Sequence, residues 1–153
     1  MGLSLEFLIG DVEVITSAVR RLDLEALWNP SIVKQRADLS LHLSPQDLNF
    51  LSEEFGRASG QIPCDFRSNL KILVDDEDLG LLLVDEKWVE YAAKVSAESI
   101  FDLVEKWMER MRREYDDTQI EASDDSREAV GDLVQLCQNA KRGGNAVLHY
   151  WYL

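Results

Sequence analysis

The sequence predicts an α+β protein, a single domain over residues 1–153 in which a mixed sheet of about five or six strands packs with about four helices. Three observations lead to this fold class. A long helical pattern of apolar residues lies at 96–115, an alternating strand pattern opens the chain, and a continuously apolar strand pattern closes it. A chain of 153 residues with 46% hydrophobic residues can bury one well-formed core.

The clearest element is the helix predicted at residues 96–115. Apolar side chains that recur at steps of three and four residues form one face of it, namely Ile100, Val104, Trp107, Met108, Met111 and Tyr115, with Phe101 and Leu103 widening the stripe. Ser96 is the expected N-cap, because its hydroxyl can accept a hydrogen bond from a first-turn amide. Such a stripe is more often core than a ligand-binding groove, so we expect it to face the sheet.

The N-terminal part of the chain predicts a strand, a helix and a second strand. Residues 3–9 alternate in a way that indicates a buried first strand, and Asp11 can cap a helix of about four turns that ends before Asn29-Pro30. Leucines alternate with polar residues over 38–43, which predicts a half-exposed second strand.

A strong helix start follows at Ser44-Pro45-Gln46-Asp47. Serine is a good cap, proline suits the first helical position, and an acid stands three residues after the cap. Gly56 is expected to end this helix. Residues 57–68 then form the longest predicted loop, which makes this segment one place where a binding site could lie.

The C-terminal half begins with a predicted β-hairpin, whose strands at 70–74 and 79–84 flank an acidic turn. Residues 86–95 fit both a helix and a strand, and a strand is favoured because Ser96 would then cap the next helix directly. After a polar linker at 116–125, a last helix ends at Gly143-Gly144. The final strand, 145–152, is apolar on both faces and is expected to be central.

The charge of the chain limits its partners. Sixteen basic and 29 acidic residues give a net charge of −13, which repels phosphate backbones and anionic lipid, so we expect no nucleic-acid and no membrane partner. A basic protein partner is compatible with this surface. No apolar run approaches the length of a membrane span. Two cysteines and no signal peptide indicate reduced thiols and a cytoplasmic location.

No residue is predicted to be catalytic, cofactor-binding or metal-binding. Counted as an EF-hand loop from Asp75, the chain places Leu79 where an oxygen ligand is required, so a solvated hairpin turn is favoured. Cys64, Cys137, His42 and His149 do not stand in a nucleophile motif or at the spacing of a zinc site. The sequence also lacks a phosphate-binding loop and a dinucleotide-binding motif.

Aromatic residues form a further set with two interpretations. Its members are Trp28, Trp88, Trp107, Trp151, Tyr150 and Tyr152. Part of the set could serve a homodimer or a partner interface, since aromatic side chains are enriched there. Core packing is the favoured interpretation, because aromatic side chains dominate cores as well.

Three segments resemble the YfbM-like family of small, largely uncharacterised bacterial proteins. They are the opening Met1-Gly2-Leu3, the capped helix start at 95–100, and the closing run Lys141-Arg142-Gly143-Gly144-Asn145-Ala146-Val147-Leu148-His149-Tyr150. This resemblance implies a small α+β fold and no established chemistry. The same ending, a helix, a glycine turn and a strand, is also similar to that of barstar, an acidic inhibitor.

These observations favour a non-enzymatic binding or regulatory protein that acts through its acidic surface or its aromatic edge. An inhibitor of the immunity type, directed at a basic toxin, is one concrete version. The first alternative is a small-ligand hydrolase with a carboxylate-lined cleft near the loop at 57–68, and the second is a structural homodimer.

Overall fold

A five-stranded sheet organises the fold in the computed structural model, which describes residues 4–41, 44–62 and 65–153. Its strands are β1 (Ser4–Gly10), β2 (Val33–Asp38), β3 (Lys71–Asp75), β4 (Leu79–Leu83) and β5 (Val147–Tyr152). The strand order is β2-β1-β5-β4-β3, so the C-terminal strand is central and lies beside the N-terminal one. This agrees with the apolar sequences of β1 and β5, which predict burial on both faces.

Helices flank this sheet in the described part of the chain. They are α1 (Val12–Arg20), α2 (Pro45–Ser59), α3 (Glu86–Ala93), α4 (Ile100–Tyr115) and α5 (Asp124–Gly143), with 3₁₀ turns at Leu24–Trp28 and Ala97–Ser99. The predicted α+β class is confirmed. The favoured strand at 86–95 is wrong, because Trp88, Val89 and Ala92 are buried at helical spacing. The Asp85 side chain caps α3 by accepting from the Lys87 amide. With α3, residues 4–41, 44–62 and 65–153 contain five α-helices, against about four predicted.

The strands of this sheet all pair antiparallel, so the predicted mixed sheet is wrong. The reason lies in the connection between β1 and β2. Gly10, at the end of β1, is paired with Val33, at the start of β2, so the intervening segment leaves and returns at the same end of the sheet. Helix α1 stops at Arg20, and Leu22 adopts a left-handed φ of 57°, which reverses the chain into the 3₁₀ turn. The predicted four-turn helix is therefore two shorter pieces.

The sheet separates two hydrophobic clusters. One face packs against α2, α3, α4 and α5 through β1 residues such as Phe7, whereas the other packs against α1 and the 3₁₀ turn at Leu24–Trp28 through β1 residue Leu8. The stripe predicted on α4 is mostly buried, as expected for core packing. Two members are exposed: Tyr115, at the end of α4, is 47% exposed, and Phe101, on the flank beneath the Arg127 guanidinium, is 60% exposed.

Helix boundaries follow local hydrogen bonding. The predicted start of α2 is confirmed as a capping box, in which Ser44 and Asp47 each bond to the other's backbone amide. The predicted end at Gly56 is wrong, because the left-handed residue is Gly60, with φ 69°. Ser96 occupies the N-cap position of the 3₁₀ turn at Ala97–Ser99 rather than of α4, and the predicted side-chain cap is wrong, because its hydroxyl lies 2.7 Å from that of Ser99 and accepts from no first-turn amide.

The second strand lies earlier than the alternation at 38–43 predicts. In β2 only Val33 and Ala37 are buried, and polar residues occupy the positions between them, so its own pattern is weak. Leu39 lies beyond the end of β2, but it is buried and its amide donates to the Leu5 carbonyl at 2.8 Å, as a strand residue would. The alternation that begins at Leu39 therefore resembles that of a strand. His42 and Leu43 lie outside the described residues.

Gly80 in β4 provides a test of the sheet packing. A Cβ added there would lie 2.5 Å from Trp151 Cε2, because this indole crosses directly over the glycine. We expect Gly80→Ala to lower the free energy of unfolding by roughly 1–3 kcal/mol, as overpacked sites do. The loss should shrink in a Trp151→Leu background. Gly131→Ala is the matched control, since nothing lies within 4 Å of its added Cβ, and urea unfolding measures all variants. Equal costs of Gly80→Ala in both backgrounds would refute the steric explanation.

Candidate functional site

A buried ion pair between β1 and β2 is the first feature of the candidate site. Glu6 is only 6% exposed, and its Oε2 accepts a hydrogen bond from Arg36 Nη1 at 2.9 Å. Burial raises the pKa of Glu6, while the Arg36 guanidinium acts in the opposite direction. Because a buried carboxylate without a partner is costly, this pair fixes the position of Arg36.

Arg36 in turn supports an exposed tryptophan. Its Cζ lies 3.8 Å from the centroid of the Trp28 ring, and its Nη2 donates to the Leu27 carbonyl oxygen. One face of the indole is therefore held by a cation–π contact. The side chain as a whole remains 68% exposed. A large aromatic ring presented to solvent on a fixed support has the character of an interface anchor.

An acidic groove lies beside the same strand. It has a volume of about 250 Å³ and is lined by Asp38, Ser40, Leu41, Asp125, Glu128, Ala129 and Asp132. Four of these residues carry carboxylates and none is basic. The groove runs between the end of β2 and the first half of α5, so one wall is the last residue of an edge strand with the segment that follows it, and the other is a helix face.

The two features flank the edge strand β2 from opposite faces of the sheet, since the 3₁₀ turn with Trp28 lies on the α1 face and the groove lies beside α5 on the other face. Arg36, beneath Trp28, and Asp38, in the groove, are two residues apart on the strand, which places their Cα atoms about 7 Å apart. We call the exposed area made by Trp28, Asp38, Asp125, Glu128 and Asp132 the β2 surface. It combines one rigid aromatic anchor with four carboxylates. Chemically, it is suited to lysine and arginine side chains.

The remaining aromatic residues mostly belong to the core. Trp88 and Trp107 are completely or almost completely buried, and their indole N–H groups donate to Ser52 Oγ and to the Asp47 carbonyl. Tyr150 stacks on Tyr152 with ring centroids 5.2 Å apart, and burial raises the Tyr150 pKa to about 12. Core packing is thus correct for most of the set, and Trp28 is the member that faces solvent.

The predicted hydrolase cleft has a counterpart at the start of the loop. A cavity of about 320 Å³ between α2 and α4 includes the buried Glu54, whose pKa is raised by burial. Arg57 pairs with Glu54, however, and Lys106 lies 2.8 Å from Asp102 in the same wall. Because two of the three carboxylates on its lining, Glu54 and Asp102, already have cationic partners, this cavity has the character of an ion-pair network rather than of a general acid–base site.

The cysteine and histidine candidates are not brought together in the described residues. Cys137 is fully buried on α5, and burial raises the pKa of its thiol, which disfavours the nucleophilic thiolate. His149 lies buried on β5 between Phe7 and Phe66. His42 and Cys64 fall outside the described residues.

The acidic segment at 75–78 forms the turn of the β3–β4 hairpin, in which the Asp76 amide donates to the Leu79 carbonyl at 2.9 Å. Among residues 4–41, 44–62 and 65–153, no three His, Cys, Asp or Glu side chains are grouped closely enough to hold a metal ion. Of the helices in these ranges, none combines the length and the apolar character needed to cross a bilayer.

Comparisons with known proteins give one structural similarity. No family model matches the chain, and no curated protein matches it. Among solved structures, the chain is similar to YfbM from Escherichia coli, described as a protein of unknown function, with 15% sequence identity and a TM-score of 0.45. The similarity covers 97% of this chain and 99% of that chain. The weak resemblance predicted from three segments of the sequence is confirmed at this level, and it carries no functional argument.

Proposed function

We propose that the protein is a non-enzymatic binding module that recognises a basic protein partner through the β2 surface. The observation that carries the proposal is the exposed Trp28 indole, held from one side by the Arg36–Glu6 pair. An exposed aromatic ring loses hydration when a partner covers it. Since its support is already fixed, little conformational entropy is lost on binding.

Charge determines the kind of partner. The chain carries a net charge of −13, and the groove across β2 from Trp28 has four carboxylates and no basic residue. Lysine or arginine side chains could pair with these carboxylates, and one could stack on the free face of Trp28. The charge speaks against nucleic acid and anionic membrane as partners. An immunity-type inhibitor of a basic toxin in the cytoplasm is the concrete version that we propose.

The test begins with capture from cell lysate on the immobilised protein, followed by purification of the captured partner and titration with variants. Trp28→Ala is expected to weaken binding by roughly 2 kcal/mol, about thirtyfold in Kd, as interface anchors do. The matched control is Ile72→Ala, which removes another exposed apolar side chain from β3 at the opposite edge of the sheet. Equal affinities of Trp28→Ala and wild type would overturn the proposal.

Charge variants test the second part of the surface. Neutralising Asp125 and Glu128 to their amides is expected to lower the association rate and to reduce its salt dependence. Neutralising Asp75 and Glu77, in the hairpin turn, changes the net charge equally but leaves the groove intact. If the two double variants associated with the partner at the same rate, only the overall charge of the protein would govern association.

The homodimer remains the alternative from a different class. The β3 edge does not favour dimerisation by sheet extension, because a bulge interrupts its register with β4 between Ile72 and Val74. The Leu73 carbonyl in that bulge already accepts from Arg20 Nη2 at 3.2 Å. Light scattering distinguishes the two proposals, since a dimeric mass that Trp28→Ala converts to a monomer would assign the β2 surface to self-association.

A further inference from the structure

A second concave region lies at the other end of α5. It is a cleft of about 650 Å³ between α3 and α5, closed below by the ends of β4 and β5. Its lining comprises Asn69, Lys71, Leu83, Val84, Asp85, Glu86, Val89, Glu90, Ala140, Lys141, Gly144, Asn145, Ala146 and Val147. This volume is in the range of small-molecule sites. The β2 surface uses α5 residues 125–132, so the two regions do not share a residue.

The charged groups in this cleft are of both signs. Lys141 Nζ lies 3.4 Å from Glu90 Oε1, so these two residues form one pair on the wall. Lys71 and Glu86 make no ion pair with any residue that the structure describes. Asp85 also makes no ion pair there, but its Oδ1 already accepts from the Lys87 amide as the cap of α3. One cation, Lys71, and one anion, Glu86, are therefore available on the lining of a single cleft.

The rest of the lining is apolar or carries amide groups. Val84, Val89 and Val147 are buried and give the cleft a hydrophobic floor. The turn that ends α5 also lines the cleft. In this turn Gly144 adopts φ 64°, and the Asn145 amide donates to the Ala140 carbonyl at 2.9 Å. The Asn69 and Asn145 side-chain amides have no hydrogen-bond partner among the described residues, so they too are available to a ligand.

We propose that this cleft binds a small zwitterion with an apolar side chain, that is, a free amino acid or dipeptide. Lys71 would pair with the ligand carboxylate and Glu86 with its ammonium group, while the side chain covers the valine floor. Three carboxylates on the lining disfavour nucleotides and other polyanions. The hydrophobic floor disfavours a bare inorganic ion, because such an ion gains nothing from it.

The test is titration of the ¹⁵N-labelled full chain with leucine and with leucyl-leucine, followed by NMR. Saturable shifts are expected at the backbone amides of Gly144, Asn145 and Val147. The uncharged analogue N-acetyl-leucinamide presents the same side chain, so it should bind at least about tenfold more weakly if the two charges matter. Equal binding of the analogue, or no saturable shift at these amides with either zwitterion, would overturn the proposal.

Two variants locate the ligand in the cleft. Ala146→Phe fills the space above the floor without changing a charge, and Lys71→Glu reverses the cation at an exposed position. Each is expected to weaken leucyl-leucine binding at least about tenfold. Lys94→Glu makes the same charge reversal on an exposed residue outside the cleft and should bind normally. Undiminished binding by either cleft variant would refute the assignment, and the proposed role of Trp28 would be unaffected.

Discussion

Replacing Trp107 by alanine is expected to lower the free energy of unfolding by about 3–5 kcal/mol, the cost typical of a large aromatic side chain removed from a core. Trp107 lies on α4, is completely buried, and belongs to the cluster between the sheet and the four helices on that face. Alanine would leave a cavity that the surrounding side chains cannot fill without moving. Of the single substitutions considered, this one should have the largest effect.

Part of this cost comes from a hydrogen bond between helices. Trp107 Nε1 donates to the Asp47 carbonyl at 2.9 Å, and Tyr115 donates its hydroxyl to Asp47 Oδ1 at 2.6 Å. Asp47 also completes the capping box of α2, so the hydrogen bonds from Trp107 and Tyr115 connect α4 to the first turn of α2. Trp107→Phe keeps most of the ring volume but leaves the buried carbonyl without this donor, which should cost about 1–3 kcal/mol.

Urea unfolding, followed by circular dichroism, measures both substitutions. The slope against denaturant should stay unchanged, so that the midpoint alone reports the loss. Phe101→Ala, on the exposed flank of the same helix, is the matched control and should cost less than about 1 kcal/mol. If Trp107→Ala lowered the free energy of unfolding no more than this control does, the packing between α2 and α4 would not be a main source of stability.

The sequence predicted the elements in which local and global signals agree. In α4 the apolar spacing predicted burial of Val104, Trp107 and Met111, and in α2 the segment Ser44–Asp47 predicted the capping box. Strand β2 was misplaced because its side chains are mostly polar and its pairing depends on β1, far away in sequence. Helix α3 was misassigned because Ser96 was expected to cap α4, whereas a 3₁₀ turn separates the two helices.

The candidate site was much less predictable. The acidic surface follows from composition, but the position of the groove depends on how β2 packs beside α5. Trp28 looked like one of several core aromatics, and only the tertiary contact with Arg36 shows that it is held at the surface. One signal was available, since Glu6 interrupts the apolar pattern of a buried strand. A buried carboxylate requires a partner, so a basic residue on a neighbouring strand could have been expected.

Mild acid is expected to destabilise the protein through His149. This histidine is completely buried on β5, with Phe7 and Phe66 rings at 4.9 and 5.4 Å and with Nδ1 lacking a hydrogen-bond partner in the described residues. Burial lowers the pKa of His149 from 6.5 to about 4, and a hydrogen bond to the Glu6 backbone opposes this shift only in part. The imidazole should therefore be neutral in the folded protein at neutral pH.

The sign of the pH effect follows from which state binds the proton first. Above pH 6.5 the histidine is neutral in both states and costs nothing. As the pH falls from 6.5 towards about 4, the unfolded chain gains a proton that the folded chain does not, so stability is lost across this range. A shift of this size corresponds to about 3 kcal/mol.

His149→Leu should abolish this loss. We expect wild type to lose about 3 kcal/mol more than the variant between pH 7 and pH 4, measured by urea unfolding at each pH. The variant can differ in stability at pH 7 because its packing differs, so the change with pH is the informative quantity. Glu6 and Glu54 have raised pKa values and shift stability in the opposite direction, but both proteins contain them, so their contributions cancel. Parallel pH profiles would mean that the aromatic cluster opens and hydrates His149 without global unfolding.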